Sequence, residues 1–327
     1  MGRSEKSIDD LFHPRLRLLF TGGKGGVGKT TVAAAMSLAM AREGYHTLLT
    51  STDPAHSLSD SFDLKQPVGH QIQAHPNISS LFLQELDAEQ ALESFRTENG
   101  GELQSLIENA TYLDEDDARQ MLNLAIPGLD EVMAFIQITE TLERDEYHKI
   151  IVDTAPTGHA LRLLHFPEML DDWIKVLAQL RQKYFNVMRA FGAKSSAGEP
   201  GDWLLELKKK VKRVRKLLTS QDEAEFVVVT RPERMILSET SRLVDQLQDY
   251  GIGVRHLVIN GLIPGESSEG FCARLRENQE KNIQQLSKQM PGLHHHRLVL
   301  QEADVVGLQA LKPVSAMLFP PANQPDQ

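Results

Sequence analysis

Cysteine is nearly missing from this sequence: Cys272 stands alone among 327 residues. A disulfide within the chain is therefore excluded. Basic residues are also in deficit, 35 against 45 acidic ones, which gives a formal net charge of -10. A polyanion would be repelled overall, so nucleic acid is not an expected partner. No uninterrupted apolar run approaches the length of about 18 residues that marks a membrane-spanning helix. Any membrane contact is expected to be peripheral or made through a partner. The opening residues, MGRSEKSIDDLFHPR, lack the apolar centre of a secretion signal, and the expected compartment is cytoplasmic. No internal repeat suggests a fused pair of similar halves.

What is present suffices for a large core, with 41% hydrophobic and 24% charged residues. The length exceeds that of a usual domain, yet a doubly wound α/β fold with helical insertions accommodates it, and a single domain over residues 1–327 is expected. Short apolar runs recur: Leu16 to Phe20, Thr47 to Asp53, Leu81 to Leu86, Lys149 to Pro156, Phe226 to Thr230, His256 to Asn260 and Arg297 to Leu300. Each reads as a strand covered on both faces. Helical patterns separate most of them, so the predicted fold is α/β, a mostly parallel sheet flanked by helices. Helical insertions at about 88–146 and 168–220 form an expected subdomain.

The first run leads into FTGGKGGVGKTT, where Gly23 to Thr30 fits the pattern G-x-x-x-x-G-K-T between a strand and a helix, Thr30 to Arg42. Gly23, Gly25, Gly26 and Gly28, with Val27 among them, let backbone N–H groups converge on phosphate oxygens. The helix N-terminus adds a favourable dipole, Lys29 supplies a point charge, and the Thr30 hydroxyl is placed to ligate Mg²⁺, with Thr31 next in the same turn. The segment reads as the ATP site of a P-loop NTPase. A glycine-rich turn before a helix is the plain alternative.

Lys24, directly after the first glycine, is the mark of the deviant Walker A group. Two further segments follow strands: STDPAHSLSD, Ser51 to Asp60, and DTAPTGHALRLL, Asp153 to Leu164. With the loop, they make the sequence similar to the ArsA-type ATPases, the family that holds the arsenite-pump ATPase and the targeting factor for tail-anchored membrane proteins. The resemblance extends in weaker form over most of the chain, including TRPERMILSETSRLVDQL and VINGL. It implies a Mg²⁺-dependent ATP hydrolase acting as a homodimer. Lys24 would then reach the partner's site and stabilise charge on the transferring phosphoryl group. Asp53 would position the attacking water from switch I, Asp153 in switch II would hold Mg²⁺ through water, and Asn260 would contact adenine. At the residue level the alternatives stay open: a solvated loop lysine, helix capping by either aspartate, and a turn asparagine. His56 and His159 fall within the switch segments, as phosphate sensors or as loop histidines. His294 to His296 would point to alternate faces of an extended segment, so no structural metal is expected there.

The family's two roles demand different residues. An arsenite sensor needs several soft thiolates, and only Cys272 is available. The targeting factors' zinc-binding C-x-x-C corresponds to EGFCARLRENQ, with Glu269 at the first cysteine position, so the dimer is expected to depend on nucleotide instead. VLQEADVVG places Val299 and Asp304 where the family favours proline and glutamate. Trp173, Leu177, Leu180, Tyr184, Met188 and Phe191 recur at helical steps. Together with Leu103, Leu106, Ile107 and Met121 to Ile136 they line a groove for an apolar helix or pack an ordinary core. Seven of the nine residues from Lys208 to Lys216 are basic beside an apolar stripe; they form a solvated face or a patch for anionic lipid. The expected role is shielding or targeting hydrophobic membrane-protein segments. Energising arsenite or anion efflux and serving as a non-hydrolysing nucleotide-binding scaffold are the alternatives.

Overall fold

The computed structural model describes residues 8–52, 57–69, 71–88, 90–94, 97, 129–154, 202–265 and 270–320. Asp53, His56, His159, Glu269, Leu103, Leu106, Ile107 and the apolar positions from Trp173 to Phe191 lie outside them, as does most of the expected helical insertions. The chain divides into two compact units. Met1–Leu86, Thr141–Gly158 and Leu217–Gln327 form the first, and Asp87–Glu140 with His159–Lys216 the second.

The first unit holds an eight-stranded sheet in the order β3-β4-β2-β5-β1-β6-β7-β8. Its strands are β1 (Leu18–Gly22), β2 (Thr47–Ser51), β3 (Gln73–His75), β4 (Ile78–Glu85), β5 (Lys149–Asp153), β6 (Ala224–Thr230), β7 (His256–Leu262) and β8 (His294–Val299). All neighbours run parallel except β3 with β4. Every residue of β1, β2, β5 and β6 is buried, which is why these runs read as continuously apolar rather than alternating.

β1 continues through Thr21 and Gly22, past the predicted run, because Thr21 pairs with Asp153 of β5 and Gly22 with Val228 of β6. β8 begins at His294, ahead of the predicted Arg297, since His256 sets its register against that residue. The antiparallel edge strand β3 has no counterpart among the predicted strands: its three residues, QAH, are too few and too polar to show a pattern.

The described helices are α1 (Lys29–Arg42), α2 (Ser57–Phe62), α3 (Leu129–Glu143), α4 (Asp202–Leu218), α5 (Arg234–Asp249), α6 (Gly270–Gln289) and α7 (Gly307–Leu318). Helix α1 is buried along most of its length; its run of alanines lets it lie close to the sheet, with Leu311, Val314 and Leu318 of α7 in the same core. In the second unit, Val132, Phe135 and Ile136 of α3 and Leu207, Val211 and Val214 of α4 are buried, and Lys210 pairs with Glu140 at 2.7 Å. The basic side chains of α4 are exposed except for half-buried Lys208, so its stripe packs while its charges meet solvent.

Two buried polar groups organise the sheet's flanks. Lys149, at the start of β5, has no solvent exposure, and its ammonium donates to the carbonyls of Leu11 (2.9 Å), His13 (2.7 Å) and Leu16 (2.5 Å). Burial, and secondarily Arg17, pushes its pKa down to about 8. On β7, His256 is fully buried and shares a 2.9 Å hydrogen bond with His296, while Glu225 beside it is ion-paired with Arg255. Burial foremost, with His296, His294 and Arg255 adding to it, lowers the pKa of His256 to about 3.

Lys149→Met would strip three carbonyls of one shared donor, and it is expected to lower unfolding free energy in a denaturant titration by about 3–5 kcal/mol. For His256, the unfolded state binds the extra proton between its ordinary pKa of 6.5 and the folded value of about 3. Stability from this group is thus complete above 6.5 and is lost as pH falls through that window. His256→Phe is expected to show a shallower acid-induced fall in melting temperature than the parent protein.

Candidate functional site

The loop between β1 and α1 is shaped by what crowds it. Gly23 has φ +152, and a Cβ there would stand 2.1 Å from the carbonyl oxygen of Val229 on β6. Gly28 caps α1 in the left-handed region with φ 95, and the Asn260 amide occupies the space where a side chain would go. Gly28 offers no side chain to cap α1, and a helix start of this kind suits an anion. Gly25 and Gly26 are exposed, Val27 is fully buried, and Thr31 is half-buried beside Thr30.

Asp153 closes β5 with 1% exposure. The Thr30 hydroxyl donates to its Oδ2 at 2.6 Å and the Thr21 hydroxyl to its Oδ1 at 3.2 Å. Hydroxyl and carboxylate oxygens this close at the mouth of a phosphate loop match the hard-oxygen preference of Mg²⁺, which keeps most of its waters. Lys29 is buried at the first position of α1, with 7% exposure. The structure thus brings Lys29, Thr30 and Asp153 together at one end of the sheet.

Asn260 joins them from β7, donating Nδ2 to the carbonyl of Val27 at 2.9 Å. Lys24 diverges. Its ammonium lies on Glu239 of α5 at 2.9 Å, with side chains 43% and 42% exposed. Glu239 falls in the segment TRPERMILSETSRLVDQL, but nothing in that wording singles it out as a partner for Lys24.

Glu85 also escaped the sequence reading. At the end of β4 it is only 2% exposed, and it accepts the backbone N–H of Leu58 in α2 at 3.3 Å. Leu86 N–H donates to the carbonyl of Ser51 at 2.8 Å and Thr52 N–H to that of Asp153 at 3.0 Å. Both flanks of residues 53–56 are therefore fixed by β4 and β5. The available signal was a charged residue inside the run LFLQEL. Cys272 is exposed near the start of α6, next to Phe271 at 68% exposure.

Comparison with known proteins follows the same residues. The chain is 36% identical to ATPase GET3B of Arabidopsis thaliana, over 91% of this chain and 76% of that protein. It is 31% identical to ATPase ASNA1 homolog 2 of Paramecium tetraurelia, over 96% and 97%. It is also 31% identical to an Aquifex aeolicus protein whose name marks it as a candidate arsenical pump-driving ATPase, over 93% and 99%. The model of the anion-transporting ATPase family matches residues 16–320, and it spans the phosphate loop, Asp153, Glu239 and Asn260. The chain belongs to this family, the ArsA-type ATPases, and is an ATPase.

Proposed function

We propose that this ATPase is Mg²⁺-dependent and cytoplasmic, that it works as a nucleotide-gated homodimer, and that it shields or targets hydrophobic membrane-protein segments. Thr30 and, through water, Asp153 would hold the ion, which on binding supplies charge neutralisation at the β- and γ-phosphate oxygens. Lys29 contacts the phosphates from below, Asp53 orients the attacking water, and Asn260 reads the base. Lys24 completes the site of the second copy.

The observation that carries the reading is the split between the two loop lysines. Lys29 is buried in its own cradle, whereas Lys24 is directed out to a half-exposed carboxylate on α5. A cation held in such a surface pair, worth only about 0–1 kcal/mol, is readily handed to a stronger anionic partner. Hydrolysis would then release the switch segments and reshape the helical unit that holds the client. Relatives named GET3B and ASNA1 support the targeting role. Among the described residues no helix is long and apolar enough to cross a membrane. The pump-driving name of the Aquifex relative favours anion efflux as the second reading.

Lys24→Ala is expected to cut phosphate release by about 10³-fold or more, the scale of a lost charge finger, while nucleotide still binds. Sedimentation of the parent protein with a non-hydrolysable ATP analogue and Mg²⁺ should show a dimer. An unchanged rate in the variant, or a monomer under those conditions, defeats the composite site. For the biological role, co-purification of a peptide bearing one apolar helix should require Mg-ATP or its analogue. Stimulation of hydrolysis by arsenite, without retention of that peptide, would decide for efflux.

A further inference from the structure

Helix α4 carries a charge pattern that the nucleotide site does not use. Leu207, Val211 and Val214 are buried, and they set which side of the helix faces the protein. Lys209, Lys212, Arg213 and Lys216 are exposed, and their spacing of three, one and three residues stacks them along the opposite face. The row is about 10 Å long at 1.5 Å per residue. By the same helical geometry Lys208 and Arg215 flank it on one side, and Lys210, paired with Glu140 at 2.7 Å, on the other. Only Glu206 is acidic between Trp203 and Leu218. Like charges three and four residues apart repel one another and weaken a helix, and a facing anionic surface removes that penalty.

The kind of anion follows from what accompanies the charges. Protein–protein interfaces are depleted in lysine and anchored by aromatic or apolar side chains. Three of the four cations in the row are lysines, and among the side chains described on α4, Glu206 to Leu218, no large hydrophobic one is exposed. Nor does that stretch contain an aromatic on which a base could stack. A cationic row without an apolar anchor suits a fluid array of anionic headgroups, which rearrange laterally to meet it. The formal net charge of -10 does not oppose such a contact. At about 0.1 M salt, exposed charges more than about 10 Å away are largely screened, so the charges nearest the bilayer decide.

We propose that the outer face of α4 binds the headgroups of an anionic lipid bilayer through Lys209, Lys212, Arg213 and Lys216, without a protein receptor. The contact is electrostatic and peripheral: the apolar stripe stays packed in the protein, and nothing on this face inserts into hydrocarbon. It does not depend on whether the ATPase serves membrane-protein segments or anion efflux, since both roles end at a membrane.

Co-sedimentation of the full-length protein with vesicles tests this, using phosphatidylcholine alone and phosphatidylcholine mixed with phosphatidylglycerol. The parent protein is expected to pellet with the anionic vesicles and to stay in solution with the neutral ones. Raising salt from about 0.1 M to about 1 M, which shortens the screening length from about 10 Å to about 3 Å, should release it. Lys209→Gln, Lys212→Gln and Lys216→Gln together are expected to weaken partition onto the anionic vesicles by about 10²-fold, at roughly fivefold per cation removed. The charge-conserving set Lys209→Arg, Lys212→Arg and Lys216→Arg should keep it. Thermal melts confirm that each variant folds; should the triple glutamine variant not fold, Lys212→Gln alone is read against a loss of about fivefold. Equal binding to both vesicle types, binding to neither, or a triple glutamine variant that partitions like the parent overturns the assignment. So does tighter binding of duplex DNA or polyglutamate than of anionic vesicles at equal anionic charge, which would give the row to a nucleic acid or an acidic protein segment.

Discussion

The site depends on one buried carboxylate. Asp153 ends the strand next to β1 and receives hydroxyl donors from both β1 and the first turn of α1. A carboxylate at 1% exposure is tolerable only when donors meet its lone pairs, and here the donors come from the elements on either side of the phosphate loop. The same bonds that satisfy the charge fix the loop's two anchors. Gly23 pressed on the Val229 carbonyl and Asn260 bonded to Val27 then leave the intervening backbone little freedom. Such preorganisation lets a phosphate be met by N–H groups already in place.

Two lysines five residues apart show how local environment divides labour. Lys29 begins a helix and is enclosed by the loop. Lys24 sits on exposed backbone between glycines and finds its carboxylate on α5, 215 residues later. The motif spells out the first, because the phosphate requires a cation there whatever surrounds it. The second has its resting partner set by tertiary packing, where Glu239 looks like any surface acid.

That contrast runs through the whole chain. Strands buried on both faces announce themselves as apolar runs, so the parallel strands from β4 to β8 were each legible, with ends that differ by up to three residues. β3 was not, since a three-residue polar edge strand owes its conformation to pairing with β4 rather than to its own composition. The loop, Asp153 and Asn260 were legible because motif and family wording mark them. Glu85 acts through a contact made by a distant element, and no short pattern encodes that. Lys149 shows the same limit: a lysine opening KIIVD suggests a solvated strand end, yet the carbonyls that enclose it come from Leu11, His13 and Leu16.

The strand order has a consequence for how the chain is made. β1 precedes the other described strands in the chain, but its two neighbours are β5 and β6, and Leu18 pairs with Ile150 on one side and Ala224 on the other. At typical synthesis rates the roughly 200 residues between β1 and β6 take about 10–40 s to appear. Throughout that interval the apolar segment LLF has an unsatisfied edge, the kind of surface on which nascent chains associate wrongly. A protein proposed to keep other chains' apolar segments out of water thus leaves one edge of its own central strand unpaired until synthesis reaches β6.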